Sequence, residues 1–277
     1  MKMVKLILCV LLFAGCGNPE SGANAAGPSV ETKPPAALEN AKLVFQRPEG
    51  VFLQRVGREP ELLVEDGSWP RWSADGSFVA FVRGNRIGRV FPESGRVEFL
   101  ADAGDPNAVA VPPGGEEIWF TDGDAVKAVS TLDRTVRTLA EGPRFLEIDA
   151  GPEGRRLVAT VKHLGYRIRT YDVVAGSSDT LAKGCSASFS PDGTTVTNNL
   201  DGHTRLALLD AGSGASGGVV PAPSGIKTDN QFWSNHPDWI VSMAEESGNV
   251  LAHRVSDGRV WRLYGGGGAD RPDMYVP

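Results

Sequence analysis

"FSPDGTTV", residues 189–196, puts an aromatic residue, a tight turn and the start of an apolar strand into eight positions. The same skeleton stands 117 residues earlier as "WSADGSFV", residues 72–79, and 117 is three times 39. Aligned on the turn glycine, the interval resolves: Gly76, Gly115, Gly154 and Gly193 are each 39 apart. Their frames read "WSADGSFVAF" (72–81), "VPPGGEEIWF" (111–120), "AGPEGRRLVA" (150–159) and "FSPDGTTVTN" (189–198). A fifth frame, "WSNHPDWIVS" (233–242), follows after 44, and the Gly/Ser-rich stretch "AGSGASGG" (211–218) is expected to take up the extra length. An internal repeat near 40 residues marks a solenoid, an array or a propeller.

The chemistry of one repeat decides among these. Ser190, Pro191 and Gly193 sit where a type I turn favours them, at its first, second and fourth positions. An apolar strand follows the turn, then a polar hairpin, a third strand ("NRIGRVF", "DAVKAVS", "YRIRTYDV", "HTRLALLD", "NVLAHRVS") and a fourth ending in Leu ("VEFL", "VRTL", "SDTL", "VWRL"). Four antiparallel strands per repeat make one propeller blade. Helical repeats of similar period need amphipathic helices, and beyond its N-terminus the chain carries no apolar run at three-to-four spacing longer than about two turns. Its 34 glycines and 19 prolines suit many short strands instead.

Residues 41–277 number 237, about six times 39. This region opens on "AKLVF" (41–45), a second strand lacking its first, and closes on "DRPDMYVP" (270–277), a first strand with nothing after it. Pairing the two ends completes a blade and removes exposed sheet edges. The expected fold is therefore all-β: a six-bladed propeller of four-stranded antiparallel blades, closed by its N- and C-terminal strands.

An aromatic residue followed by Ser-Pro-Asp-Gly and an apolar strand, complete at Phe189 to Gly193, resembles the TolB-type, WD-like propeller repeat. "WSADG" lacks the Pro, "AGPEG" has Glu for Asp, and "VPPGG" lacks both Ser and Asp. The resemblance implies the fold over about 237 residues and leaves activity open. Related propellers serve as periplasmic binding proteins, as gating domains of serine peptidases and, in a minority, as polysaccharide lyases.

The N-terminus, "MKMVKLILCVLLFAGCGN", has two lysines, an apolar run from Leu6 to Ala14 and then Gly15-Cys16. That is a secretory leader, too short to span a bilayer permanently. Its ending "LFAGC" resembles a bacterial lipoprotein signal, which implies lipidation of Cys16 and, with no Asp after the cysteine, outer-membrane placement facing the periplasm. Cleavage after "ANA" (23–25) is the alternative. Residues 1–16 are read as the signal and 17–40, rich in Pro, Ala and Gly, as a tether with a coil span of roughly 27 Å.

The formal charge is −6, or −8 once Lys2 and Lys5 leave with the leader. That argues against nucleic acid or an anionic membrane surface as partner. Membrane attachment is expected only through the lipid. Cys185 is alone in the mature body and reads as a small buried residue.

Catalytic strings are present but misplaced. Gly214 to Gly218 spells G-x-S-x-G and Gly212 to Gly217 fits G-x-G-x-x-G, yet neither lies between a buried strand and a helix. Among the histidines, His163 and His203 fall at or near second-to-third-strand hairpins of adjacent blades and, with a carboxylate such as Asp201, are the weak candidates for a metal. His236 falls at the opposite rim and His253 inside a third strand. No cofactor and no catalytic residue is implied. The functional expectation is a lipid-tethered envelope binding module that presents a propeller face to a protein, or secondarily a glycan. The alternative is an envelope polysaccharide lyase or hydrolase working at the channel mouth.

Overall fold

The computed structural model describes residues 27–277 except Asp201. The leader, Cys16 and the first part of the tether lie outside the described residues. Among the described residues, six blades of four antiparallel strands each, one of them extended by a fifth, parallel strand, form a six-bladed propeller with almost no helix. Blade 2 shows the pattern: inner strand Ser68–Trp72, then Val79–Arg83, Arg86–Phe91 and outer strand Arg96–Asp102. Among the described residues no helix is long and apolar enough to cross a membrane.

The repeat's turn explains the period. Ser190 N–H donates to the Thr195 carbonyl at 2.8 Å, and Gly193 N–H donates to the Ser190 carbonyl at 2.8 Å. The Ser190 hydroxyl donates to Asp192 at 2.6 Å and accepts from Thr195 N–H at 3.0 Å. Ser73, Asp75 and Phe78 repeat these bonds. Gly193 closes the turn at φ +70°, where a side chain is strained, and a Cβ there would meet Pro152 of the preceding blade at 2.8 Å. At Gly76, φ +69°, the obstacle would be the Tyr275 ring at 2.5 Å. The glycine thus serves both the turn and the packing of one blade's turn on the next blade.

Middle strands are covered on both faces, which is why they read as unbroken apolar runs: Val79, Ala80, Phe81 and Val82 are all buried. The cores lie between blades. Phe81 and Val79 pack on Val44, Val51 and Leu53 of blade 1, whereas Ala80, Val82 and Ile87 share a core with Ile118 and Trp119 of blade 3. Val158 and Ile168 meet Phe189 and Val196, and Leu206 meets Trp233 and Ile240. Burying one such large side chain contributes about 1.5–3 kcal/mol. All six tryptophans are buried, as their strand positions imply.

Ring closure follows the expectation. Asp270–Tyr275 is the inner strand of blade 1, antiparallel to Lys42–Arg47, with Leu43 opposite Met274 and Val44 opposite Asp273. Gly50–Arg55 and Glu61–Glu65 complete that blade.

Two details differ from the sequence reading. The Gly/Ser-rich stretch 211–218 is an ordinary hairpin and strand start: the outer strand begins 23 residues after the turn glycine both in blade 4 (Gly154 to Ser177) and in blade 5 (Gly193 to Ser216). The five extra residues lie later, since Phe189 follows Gly154 by 35 whereas Trp233 follows Gly193 by 40. They occupy the connection from Pro221 to Thr228, where Ser224 N–H donates to the Pro28 carbonyl at 3.2 Å. The second difference is at residues 30–38, read as part of the tether. Val30–Glu31 pairs in parallel with Val260–Tyr264, the outer strand of blade 6, and covers its edge. Leu38 is wholly buried beside Trp239 and Trp261.

Truncation of the chain before Asp270 leaves blade 1 without its inner strand. Thermal unfolding of that variant is expected to lose cooperativity or to fall by about 10 °C or more, since each kcal/mol lost shifts the midpoint by ~2–4 °C in a chain of this size. An unchanged midpoint would contradict closure by this strand.

Candidate functional site

The six inner strands surround a central channel, and their inward side chains fill its middle with polar groups. Arg71, Asp149, Phe232 and Asp273 come from blades 2, 4, 6 and 1 and line one cavity of about 370 Å³, and Ser188 of blade 5 bonds to Asp149 beside it. Inner strands have a free edge, so their N–H groups need acceptors. Neighbouring blades supply them. Trp72 N–H donates to Asp273 at 2.7 Å, Phe189 N–H to Asp149 at 2.9 Å and Trp233 N–H to the Ser188 hydroxyl at 3.1 Å, and that hydroxyl donates on to Asp149 at 2.8 Å.

The Arg71 guanidinium carbon lies over the Phe232 ring, 3.3 Å from its centroid, and the group donates to the Pro70 carbonyl at 2.6 Å. Burial pulls its pKa down to about 10, against the pull of Asp273 and Asp149, so it stays charged at neutral pH. Burial likewise raises the Asp273 carboxyl to about 6, against the attraction of Arg71, and pushes Asp149 upward against hydrogen bonds from Ser188 and Phe189. One step along the channel Arg271 stacks on Trp69, 3.8 Å from its centroid, and donates to Glu147 at 2.6 Å. Trp69, Asn230 and Arg271 lie at register shifts in three inner strands and Ser186 just ahead of a fourth, and all four have φ of 51–58°.

The two channel mouths differ. The 370 Å³ cavity opens on the face of the Ser-Pro-Asp-Gly turns, among Ala74, Pro113, Pro152 and Pro191. Around it, Nε and Nη2 of Arg71 and the indole N–H groups of Trp72 and Trp233 are buried without an acceptor among the described residues. On the same face the third-to-fourth-strand hairpins expose Leu132 (93 %) and Val174 (75 %). The other mouth is a cavity of about 770 Å³ lined by polar groups, including Glu147, His203, Lys227, Asp229, Glu245 and Arg271.

At that second mouth stands His203, in the hairpin between Thr195–Leu200 and Arg205–Asp210, with φ +73°. Its Nε2 lies 3.5 Å from Cys185 Sγ, and its Nδ1 meets a Glu245 oxygen and lies 4.0 Å from Asp229. Burial lowers the imidazole's pKa, but the Cys185 contact, the Asp229 charge and Glu245 outweigh it and lift the group to about 9. His163, the other candidate, is exposed in the corresponding hairpin of blade 4, and Asp201 lies outside the described residues. Cys185 is buried, as read, yet beside an imidazole rather than in an apolar shell. The sequence did carry a clue. An inner strand enters from the rim that holds the second-to-third-strand hairpins, so Cys185 and His203 had to share a rim. His236 is exposed in a turn at the opposite rim. His253 is buried against the Ser242 hydroxyl at 2.7 Å, and desolvation lowers it to about 4. Ser216 of the G-x-S-x-G string is exposed at the start of an outer strand.

The six sheets around one channel define a six-bladed β-propeller. Among solved structures, the chain superposes on TolB from Acinetobacter baumannii with a TM-score of 0.69 at 19% identity, over 87% of this chain and 67% of that one. It superposes on a chain of a nidogen/laminin complex with a TM-score of 0.67 at 15% identity (84% and 98% covered). A putative TolB from Agrobacterium tumefaciens gives 0.64 at 16% identity (83% and 91%). At these identities the likeness is one of fold. No protein-family model and no curated protein matches the sequence.

Replacing Arg71 with Met is expected to cost about 3 kcal/mol at pH 8, because Asp149 and Asp273 lose their shared counter-charge. The sign of the pH dependence follows from the raised carboxyls: a folded-state pKa above the unfolded value adds stability as the proton binds, and that stability is lost as pH rises through about 6. Denaturant titrations should therefore find the variant's deficit smaller at pH 5 than at pH 8. A deficit independent of pH would contradict the arrangement.

Proposed function

We propose that the protein is an envelope-tethered binding module that engages a protein partner through the turn face of its propeller. The observation that carries this reading is the set of buried donors around the smaller cavity: Nε and Nη2 of Arg71 and two indole N–H groups, each without an acceptor among the described residues. A buried donor left unmade costs about 1–3 kcal/mol, so a partner's acceptor that reaches these donors as the side chains at this mouth rearrange has free energy to gain. Leu132, Val174 and the turn prolines supply the apolar surround that protein recognition uses. The wheel itself, with a core between every pair of blades, holds these loops in place. Cys16, in the lipoprotein-like ending "LFAGC", is the proposed lipid attachment point, placing the module at the outer membrane facing the periplasm. The likeness to TolB structures supports an envelope setting for the same fold.

Photo-crosslinking residues placed at Leu132 or Pro191 in cells are expected to trap one defined partner, and Arg71→Met to weaken that capture. A crosslinker at Leu164, exposed on the opposite face, should not trap it. Equal capture from both faces would contradict the assignment. Separately, Cys16→Ser is expected to move the protein from the membrane fraction to the soluble one; continued membrane fractionation would remove the lipid anchor from the account.

A further inference from the structure

The wider channel mouth carries a constellation that partner binding at the other face does not use. Cys185 Sγ, an imidazole nitrogen of His203 and a carboxylate oxygen of Asp229 lie within 4.8 Å of one another. We propose that these three residues form a zinc-type transition-metal site, with Glu245 as the residue that positions the imidazole.

The distances suit the ion. A tetrahedral zinc with bonds of about 2.3 Å to sulfur and about 2.0–2.1 Å to nitrogen sets its sulfur and nitrogen ligands ~3.5 Å apart. Cys185 Sγ and His203 Nε2 are 3.5 Å apart. The corresponding nitrogen–oxygen edge is ~3.3 Å; Asp229 Oδ2 lies 4.0 Å from Nδ1 of the same ring, so ligation beside Nε2 requires the Asp229 side chain to swing toward that nitrogen. Thiolate and imidazole together select zinc and its softer neighbours over magnesium and calcium, which prefer all-oxygen shells.

The surroundings orient each ligand. Glu245 occupies Nδ1 of His203, which fixes the tautomer that turns the Nε2 lone pair toward Cys185. A carboxylate on the far side of a ligating imidazole is the usual way such rings are held. Asp229 Oδ1 accepts from the Ser186 hydroxyl and from Asn199 Nδ2, each at 2.7 Å, and so leaves Oδ2 for a metal. The ligands come from three separate backbone segments: the entry to the inner strand of blade 5, the Gly202-His203-Thr204 hairpin and the strand Thr228–Trp233 of blade 6. Three protein ligands leave the fourth position toward the 770 Å³ cavity, where water or a donor group of a bound molecule completes the shell. Binding needs Cys185 as the thiolate and the His203 ring deprotonated at Nε2, and the protons the metal displaces from both groups go to solvent.

The test uses the full-length protein, stripped with chelator and titrated with Co²⁺ as a spectroscopic stand-in, then with Zn²⁺. One equivalent of Co²⁺ should give a thiolate-to-metal charge-transfer band and the strong visible bands of a tetrahedral ion, and Zn²⁺ should bleach both. Cys185→Ser should abolish the charge-transfer band, Asp229→Asn should weaken binding, and Glu245→Gln should weaken it about 10–100-fold. His163→Ala should bind as wild type does. Circular dichroism of each metal-free variant reports folding. If Cys185→Ser fails to fold, the wild-type spectrum and Asp229→Asn still decide. Folded wild type that takes up no stoichiometric Co²⁺, or a charge-transfer band that persists in Cys185→Ser, would overturn the site.

Discussion

The antiparallel pairing of Lys42–Arg47 with Asp270–Tyr275 holds the wheel shut, and the other features depend on it. Each blade's core is shared with its neighbours, so an open ring would expose one interface: Leu43, Phe45 and Met274 would lose Trp239, Val241 and Trp261 on one side. The closing strand also brings Asp273 under the Trp72 amide and Arg271 onto the Trp69 ring and Glu147. Two guanidiniums and three carboxylates thereby meet in the channel, with a geometry that no single blade contains.

That channel divides the molecule into two unlike ends. Toward the turns, buried donors and prolines surround a small mouth; toward the second-to-third-strand hairpins, titratable groups surround a larger one. Both ends follow from strand direction. Inner and second strands run antiparallel, so every Ser-Pro-Asp-Gly-type turn reaches one rim and every polar hairpin the other. A propeller can therefore carry recognition on one face and a distinct site on the other without either disturbing the cores between blades.

The architecture was legible because its signals are local. Ser190, Asp192 and Gly193 make their turn with bonds that span six residues, and Gly76, Gly115, Gly154 and Gly193 keep the beat even where Asp or Pro is lost. The half-blade at each terminus was readable for the same reason. The location of the extra five residues was not: glycine and serine at 211–218 look like an insert, but glycine also stands in the third-to-fourth-strand hairpins of blades 1, 2, 4 and 6, at Gly57, Gly95, Gly176 and Gly258. The real insertion at 222–227 has unremarkable composition, and the strand bounds on either side are what place it. The candidate site was harder still. Cys185, His203, Asp229 and Glu245 belong to two blades, and their convergence depends on side-chain directions set by left-handed residues such as Ser186 and His203, which no period encodes.

Hydrogen exchange on the full-length protein tests the central claim most directly. Amides of 42–47 and 270–275 should open only with global unfolding, at the same free energy as those of 79–83 in the middle of blade 2. If the 270–275 amides instead exchange as fast as the exposed hairpin at 163–165 while 79–83 stays protected, the ring is not closed by this strand.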